Sequence, residues 1–207
     1  MSTWDNNEYE LPDFDEASNS QIPAILELVN LGYTYISRDE ISRIRESNSQ
    51  YVLRDIAFES IRSINSADIS DKSIKEEIYN FEKINMSDGV YKASEDIFSK
   101  LLSGVSVSEI IDGKSHSPHM RFIDFERPLA NSFHVASEFE IEEGRNRRPD
   151  IVLFVNGIPF AVIENKKPSV GVNEAVNQML RNQGREQTPK FFLFSQLLIA
   201  TNVRNIK

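Results

Sequence analysis

The chain reads as an α/β protein in which one central sheet is covered by helices on both faces. Ile151-Val152-Leu153-Phe154-Val155 and Ile158-Pro159-Phe160-Ala161-Val162-Ile163 flank Asn156-Gly157, the strongest short-range hairpin signal a sequence can carry. Both parities of each run are apolar, so both faces of the hairpin need cover. Three windows upstream repeat apolar residues at helical spacing, and an apolar run at 197–201 follows a further helical window. At 207 residues the chain is long enough to bury one such core.

In chain order, residues 1–18 mix acids, Asn and Ser without periodicity and read as a flexible acidic tail, leaving a single domain over 19–207. Ser20 is a good N-cap for a helix to Asn30, with Pro23 in its first turn and Gly32 as the stop. Residues 33–36 read as a short strand, and 39–50 as a helical turn and loop. Leu53, Ile56, Ala57, Ile61 and Ile64, then Ile74, Ile78 and Phe81, then Ala93, Ile97 and Leu101 before Gly104, predict three amphipathic helices. These form an accessory helical part at about 49–104, whose charges are solvated faces. Segments 105–111 and 121–125 look like strands. Phe133, Val135, Phe139 and Ile141 alternate with His134, Glu138 and Glu140, which predicts one strand with a buried face and a wet face, His134 on the wet side. The core, about 133–207, continues through the hairpin, a helix from Gly171 or Val172 to Asn182, and a buried strand at 197–201. An end so close to a core strand suggests the N-terminal part of a longer chain.

The absence of cysteine excludes disulfides, thiolate zinc sites and cysteine nucleophiles, and fits a reducing cytoplasm. No apolar run approaches the roughly 20 residues of a membrane span, and the acidic start is unlike a signal peptide, so a cytoplasmic protein without a membrane partner is expected. A net charge of -9 argues against a nucleic-acid partner. Its distribution argues otherwise. Asp5, Glu8, Glu10, Asp13, Asp15, Glu16 and Glu27 precede residue 31 with no Lys or Arg among them, whereas 144–207 holds ten bases against four acids. On its own this is as readily a solvated charge asymmetry; with DNA as the partner it implies weak autonomous affinity, other chains supplying most of the grip.

Asp150, Glu164 and Lys166 sit at the open end of the hairpin. Two carboxylates beside an ammonium, at a sheet covered on both faces, are strongly disfavoured unless something binds there, and a divalent cation would resolve the conflict. With a two-residue Asn156-Gly157 turn, Val155 pairs with Ile158 and Asp150 with Ile163, which sends the acids to opposite faces. A three-residue 155–157 loop, with Gly157 left-handed in a bulge, pairs Asp150 with Val162 instead. The acids then become diagonal neighbours about 7–8 Å apart at the backbone, within reach of one Mg²⁺, and Lys166 projects from the same face. The three-residue loop is the expectation.

Pro149-Asp150, thirteen intervening residues and Glu164-Asn165-Lys166 resemble the PD-(D/E)xK nuclease motif. The longer string Asn146-Arg147-Arg148-Pro149-Asp150-Ile151-Val152-Leu153-Phe154-Val155-Asn156-Gly157 resembles the N-terminal endonuclease region of the restriction (R) subunit of type I restriction-modification enzymes. The likeness extends through Arg121-Phe122-Ile123-Asp124-Phe125 and Phe139-Glu140-Ile141-Glu142-Glu143-Gly144, and touches Leu31-Gly32-Tyr33-Thr34-Tyr35. It implies a restriction-endonuclease-like core, a mixed sheet flanked by helices, that cuts double-stranded DNA with Mg²⁺. It also implies methylation and specificity subunits as partners, and ATP used only by a motor absent from these residues. Carried over by position, Asp150, Glu164 and the main-chain oxygen of Asn165 would hold the ion, and Lys166 would orient water or the scissile phosphate. Gln178 matches the family's glutamine on the next helix. The tyrosine four residues on is Asn182 here, and the first-helix glutamate falls at Gln21; both departures put full activity in doubt more than fold. Arg145, Arg147, Arg148 and Lys167 adjoin the site as candidates for DNA phosphates, or simply as a solvated basic turn.

Other signals are weaker. Gly113-Lys114-Ser115 lacks the earlier glycine of a phosphate loop, Ser108 standing there, and His116 and His119 have no further ligands near, so a plain loop is expected. Besides the type I nuclease, three readings stay open: a stand-alone PD-(D/E)xK nuclease of repair or recombination, an inactive DNA-docking module, and a non-catalytic assembly domain.

Overall fold

The computed structural model describes residues 18–166, 170–184, 187–202 and 206; the acidic segment and Lys167 lie outside them. Helix α1 (Ser18–Asn30) begins two residues before the expected cap, which puts Pro23 in its second turn rather than its first. Strand β1 (Thr34–Ile36) leads into α2 (Arg38–Ile44), where the Ser37 hydroxyl accepts the Glu40 N–H. Helices α3 (Arg54–Ile64), α4 (Asp71–Glu82) and α5 (Val90–Ser103) stand where the apolar spacing predicts them, and bury the predicted residues Ala57, Ile61 and Ile64, Ile74, Ile78 and Phe81, and Ala93, Ile97 and Leu101.

Residues 105–125 depart from expectation. In place of two strands there are four short ones, β2 (Val105–Ser106), β3 (Glu109–Ile111), β4 (Lys114–His116) and β5 (His119–Met120), paired as β2 with β5 and β3 with β4 outside the main sheet. Asp112 and Gly113, at φ 51 and 74, reverse the chain between β3 and β4, and His116 and His119 stand on strands rather than in a loop. Residues 121–125 form no strand. The Asn65 side chain satisfies both the N–H and the C=O of Arg121, and Asn131 does the same for Asp124. Backbone groups met by side chains have no need of a ladder.

Strand β6 (Phe133–Ser137) ends early, because Glu138 turns left-handed at φ 51. It has no wet face either: Val135 is buried on one side and Ala136 on the other, and His134 is half-buried, with its Nδ1 enclosed. Strands β7 (Ile151–Val155) and β8 (Ile158–Asn165) form the hairpin, followed by α6 (Val172–Asn182). Helix α7 (Pro189–Phe194), which the sequence reading left out, buries four consecutive apolar residues, Phe191 to Phe194. Strand β9 (Leu197–Thr201) follows.

The main sheet has the order β1-β6-β7-β8-β9, parallel at its two outer pairings and antiparallel within. It is the mixed, helix-flanked sheet of a restriction-endonuclease-like core. Because β9 lies at the edge, it buries only Ala200 fully rather than being a buried strand. On one face, Val152, Phe154 and Val162 pack with residues of α3, α4, α5 and α7. On the other, Ile151, Leu153, Ala161 and Ile163 pack with Ile25 of α1. Each such buried Val, Leu, Ile or Phe side chain contributes roughly 1.5–3 kcal/mol relative to exposure. Among the described residues no helix is long and apolar enough to cross a membrane.

The hairpin corrects the expected turn. It is the two-residue one, with Asn156 at φ 50, Gly157 at φ 71 and Val155 opposite Ile158. A bulge then follows within β8: Phe154 faces Pro159 but Leu153 faces Ala161, so Phe160 is an extra residue. Tertiary contacts fix this choice. The buried Asn156 side chain accepts the Ser132 N–H at 2.8 Å and donates to Phe122 O at 2.9 Å and to Asn131 Oδ1 at 2.8 Å. Gly157 lies so close to α3 that a Cβ there would stand 2.6 Å from Leu53 O, and its own carbonyl accepts the Leu53 N–H at 2.8 Å. The tip therefore cannot widen. The irregularity moves inward to Pro159, which has no N–H for the ladder.

Candidate active site

Beyond the bulge Ile151 faces Ile163, and one residue past this last rung Asp150 and Glu164 come together, close enough for each to act on the other. The predicted sharing of one face holds, although through an in-strand bulge rather than a wide loop. Glu164 is 0% exposed. The Asn165 N–H donates to Asp150 Oδ2 at 2.7 Å, and the Glu138 N–H donates to Asp150 O at 2.9 Å, tying β6 to the same corner.

Helix α6 supplies the next layer. Val172, Ala175 and Met179 pack on Ala200 of β9, and Gln178, three residues after Ala175, is aimed at the end of β8. Its Nε2 donates to Glu164 Oε2 at 2.9 Å, and its Oε1 accepts from Lys166 Nζ at 2.7 Å. Lys166 Nζ stands 3.9 Å from Glu164 Oε2, and its main chain is held by Thr201 O at 2.8 Å. Glutamine thus joins the acid to the amine, at the position that the resemblance matches to the family's glutamine.

The electrostatics follow from this crowding. Burial, then the neighbouring Asp150 charge, push the Glu164 carboxyl up to about 8, with Lys166 opposing. Asp150 is also raised by burial, and is restrained by the Asn165 N–H and by the charges of Lys166 and Arg148. The pair therefore holds a proton more tightly than two free carboxylates would. Glu164 Oε1 is nonetheless buried with no hydrogen-bond partner. An orphaned carboxylate oxygen beside a second carboxylate matches the hard-oxygen preference of Mg²⁺, which keeps several waters and needs only one or two protein carboxylates. Among the described residues no cluster of three or more His, Cys, Asp or Glu has metal-binding geometry, so a third ligand drawn from them would be a neutral oxygen such as the Asn165 main chain.

The remaining sequence candidates lie further out. Gln21 is buried one turn before Ile25, on the α1 stripe that packs against the Ile151–Ile163 face, whereas Asp150 and Glu164 have the opposite parity. Arg147 pairs with Ile141 through both backbone bonds, and its guanidinium donates to the Gln187 side chain. Arg148 is exposed, 3.6 Å from Glu138 Oε2. Arg145 is exposed, and Lys167 falls outside the described residues. Asn182, at the tyrosine position, is buried, and its carbonyl accepts the Thr188 N–H at 3.1 Å. Sequence reading missed Glu138 as a neighbour of Asp150, and only the break in alternation around it hinted at that.

Residues 13–207 match the family model described as type I restriction enzyme R protein N terminus. The chain is 30% identical over 189 residues, 86% of its length, to a Methanocaldococcus jannaschii protein named as the type I restriction enzyme MjaIXP endonuclease subunit. It is 28% identical over 149 residues, 70% of its length, to the type I restriction enzyme HindI endonuclease subunit of Haemophilus influenzae. The matched regions span 18% and 14% of those relatives.

Proposed function

This chain belongs to the type I restriction enzyme R protein N-terminal family, and from that premise we propose that it is a Mg²⁺-dependent endonuclease domain hydrolysing phosphodiester bonds in double-stranded DNA. The observation that carries the reading is the meeting of Asp150 and Glu164, with an unmatched buried oxygen on Glu164. Asp150, Glu164 and the main-chain oxygen of Asn165 would hold the ion, which supplies Lewis-acid charge to a phosphate oxygen and acidifies water. Lys166, its Nζ steered by Gln178 Oε1, donates toward the water or the scissile phosphate. Gln178 keeps the ammonium from collapsing onto Glu164 by occupying the nearer oxygen itself. Asp150 is aimed by the Asn165 N–H, which leaves its other oxygen for the ion.

The rest of the proposal concerns the whole subunit: an ATP-driven motor carried by other residues, assembly with methylation and specificity subunits, and work in the cytoplasm. A second reading, a docking module that binds DNA without cutting it, is favoured by neutral Gln21 and by Asn182. Calorimetric titration with Mg²⁺ or Mn²⁺ tests the site: wild type binds, Glu164→Ala loses most of its affinity, and equal affinity in both removes the proposal. Cleavage of plasmid DNA by wild type, lost in Asp150→Ala and Lys166→Ala, separates nuclease from docking module.

A further inference from the structure

The sequence sets an arginine where it endangers the carboxylate pair. Arg148 stands two residues before Asp150, is exposed, and its charge acts on the Asp150 carboxyl. A planar guanidinium fork matches a carboxylate in bidentate fashion, so an Arg148–Asp150 pair would close that acid to an ion. Among the described residues the ion-pair partner of Arg148 is Glu138 instead, with Nη1 3.6 Å from Oε2.

Glu138 is itself held in an unusual way. It follows β6 with φ 51, a left-handed backbone that a non-glycine residue adopts at a cost, and its N–H donates to Asp150 O at 2.9 Å. One residue thus fixes the main chain of Asp150 and carries the carboxylate that engages Arg148. Glycine would meet the backbone requirement without strain, so the side chain needs a reason of its own. Ion ligation is not that reason, because among the described residues no group of three or more His, Cys, Asp or Glu could hold a metal. The Glu138 and Arg148 side chains are 33% and 46% exposed, and an ion pair this wet is weak enough for a phosphate to displace.

We propose that Arg148 grips a backbone phosphate of the DNA at this site and that Glu138 is its positioning residue, holding the guanidinium away from Asp150 until the strand arrives. The proposal rests on the DNA nuclease reading and adds to it the resting arrangement of the site. The phosphate takes Arg148 from Glu138 and not from Asp150, so strand binding removes no ligand from the ion.

The test is calorimetric titration of the 207-residue protein with Mg²⁺, beside fluorescence anisotropy of a short labelled DNA duplex in Ca²⁺, so that the strand is not cut, over a range of salt. Glu138→Gln keeps the N–H and loses the charge; it binds Mg²⁺ about three- to tenfold more weakly than wild type, because Arg148 turns to Asp150. Glu138→Gly, which relieves the left-handed backbone, shows the same loss without a lower unfolding temperature. Arg148→Gln alone leaves Mg²⁺ affinity within about twofold of wild type, yet added to Glu138→Gln it restores that affinity, so the two substitutions are not additive. A structural role for Glu138 gives no such rescue. Arg148→Gln also weakens duplex binding by about three- to tenfold and flattens the dependence of log affinity on log salt by about 1. The proposal is overturned if Glu138→Gln binds Mg²⁺ as wild type, if the two substitutions act additively on Mg²⁺ affinity, if Arg148→Gln binds the duplex as wild type, or if the wild-type protein does not bind the duplex. Failure of the ion-site reading looks different: Asp150→Ala then keeps wild-type Mg²⁺ affinity, whereas failure of this proposal alone leaves that variant without it.

Discussion

Replacing Glu164 by Gln separates what the carboxylate does for folding from what it does for an ion. In the folded protein its carboxyl is raised to about 8 from an ordinary 4.5, by burial first and by Asp150 second. A raised acid contributes stability that is complete below its unfolded value and is lost as pH climbs through its folded one. For Glu164 that loss runs from about pH 4.5 to about pH 8. The full shift is a ceiling of roughly 4–5 kcal/mol at 1.36 kcal/mol per unit, and the interaction with Asp150 reduces the expected value to about 2–3. Gln stays neutral throughout. Its oxygen can accept from Gln178 where Oε2 does, and its amide sets a donor beside Asp150 in place of the unpartnered Oε1. Urea denaturation in EDTA should give wild type and Glu164→Gln within about 1 kcal/mol of each other at pH 5, with the variant about 2–3 kcal/mol more stable near pH 8.5. Mg²⁺ binding should vanish in the same variant. A stability difference independent of pH, or a variant less stable at pH 8.5, would refute the reasoning about the buried pair.

Mg²⁺ affinity should rise with pH up to about 8, because the ion displaces the proton that the pair holds; calorimetry in buffers of different ionisation enthalpy should detect its release, and flat affinity between pH 6 and 8 would contradict it. Gln178→Ala should lower cleavage by about ten- to a hundredfold while leaving Mg²⁺ affinity within a few-fold, since it removes the steering of Lys166 and no ion ligand. Gly157→Ala should destabilise the fold by about 2 kcal/mol or more, from positive φ and from a Cβ 2.6 Å from Leu53 O; an unchanged urea midpoint would show that the turn tip can move away from α3. Asn156→Ala should cost about 2–3 kcal/mol in the same assay, because it strands the Ser132 N–H and Phe122 O inside the protein.

The helices were legible because their apolar spacing carries its own period, and α3, α4, α5 and α6 stand where that period puts them. The acid pair was legible too, from chemistry and parity. The route to it was not. Whether the irregularity falls in the turn or in the strand is decided by Leu53, Ser132 and Phe122, none of them within twenty residues of the tip, and no local pattern reports such clamps. The same limit explains the loop at 121–125, whose backbone is satisfied by Asn65 and Asn131. Helix α7 was hidden by its shortness: six residues give less than two turns, too few for a period to emerge.

The extra residue at Phe160 has a consequence for how kin of this chain are to be found. In an unbroken ribbon closed by two residues, facing positions are always separated by an even count, yet thirteen residues lie between Asp150 and Glu164. An odd spacing is thus the arithmetical signature of one irregularity somewhere on the way. A relative that straightened β8 by losing Phe160 would keep its acids face to face at a spacing of twelve, and any pattern requiring thirteen would pass it by.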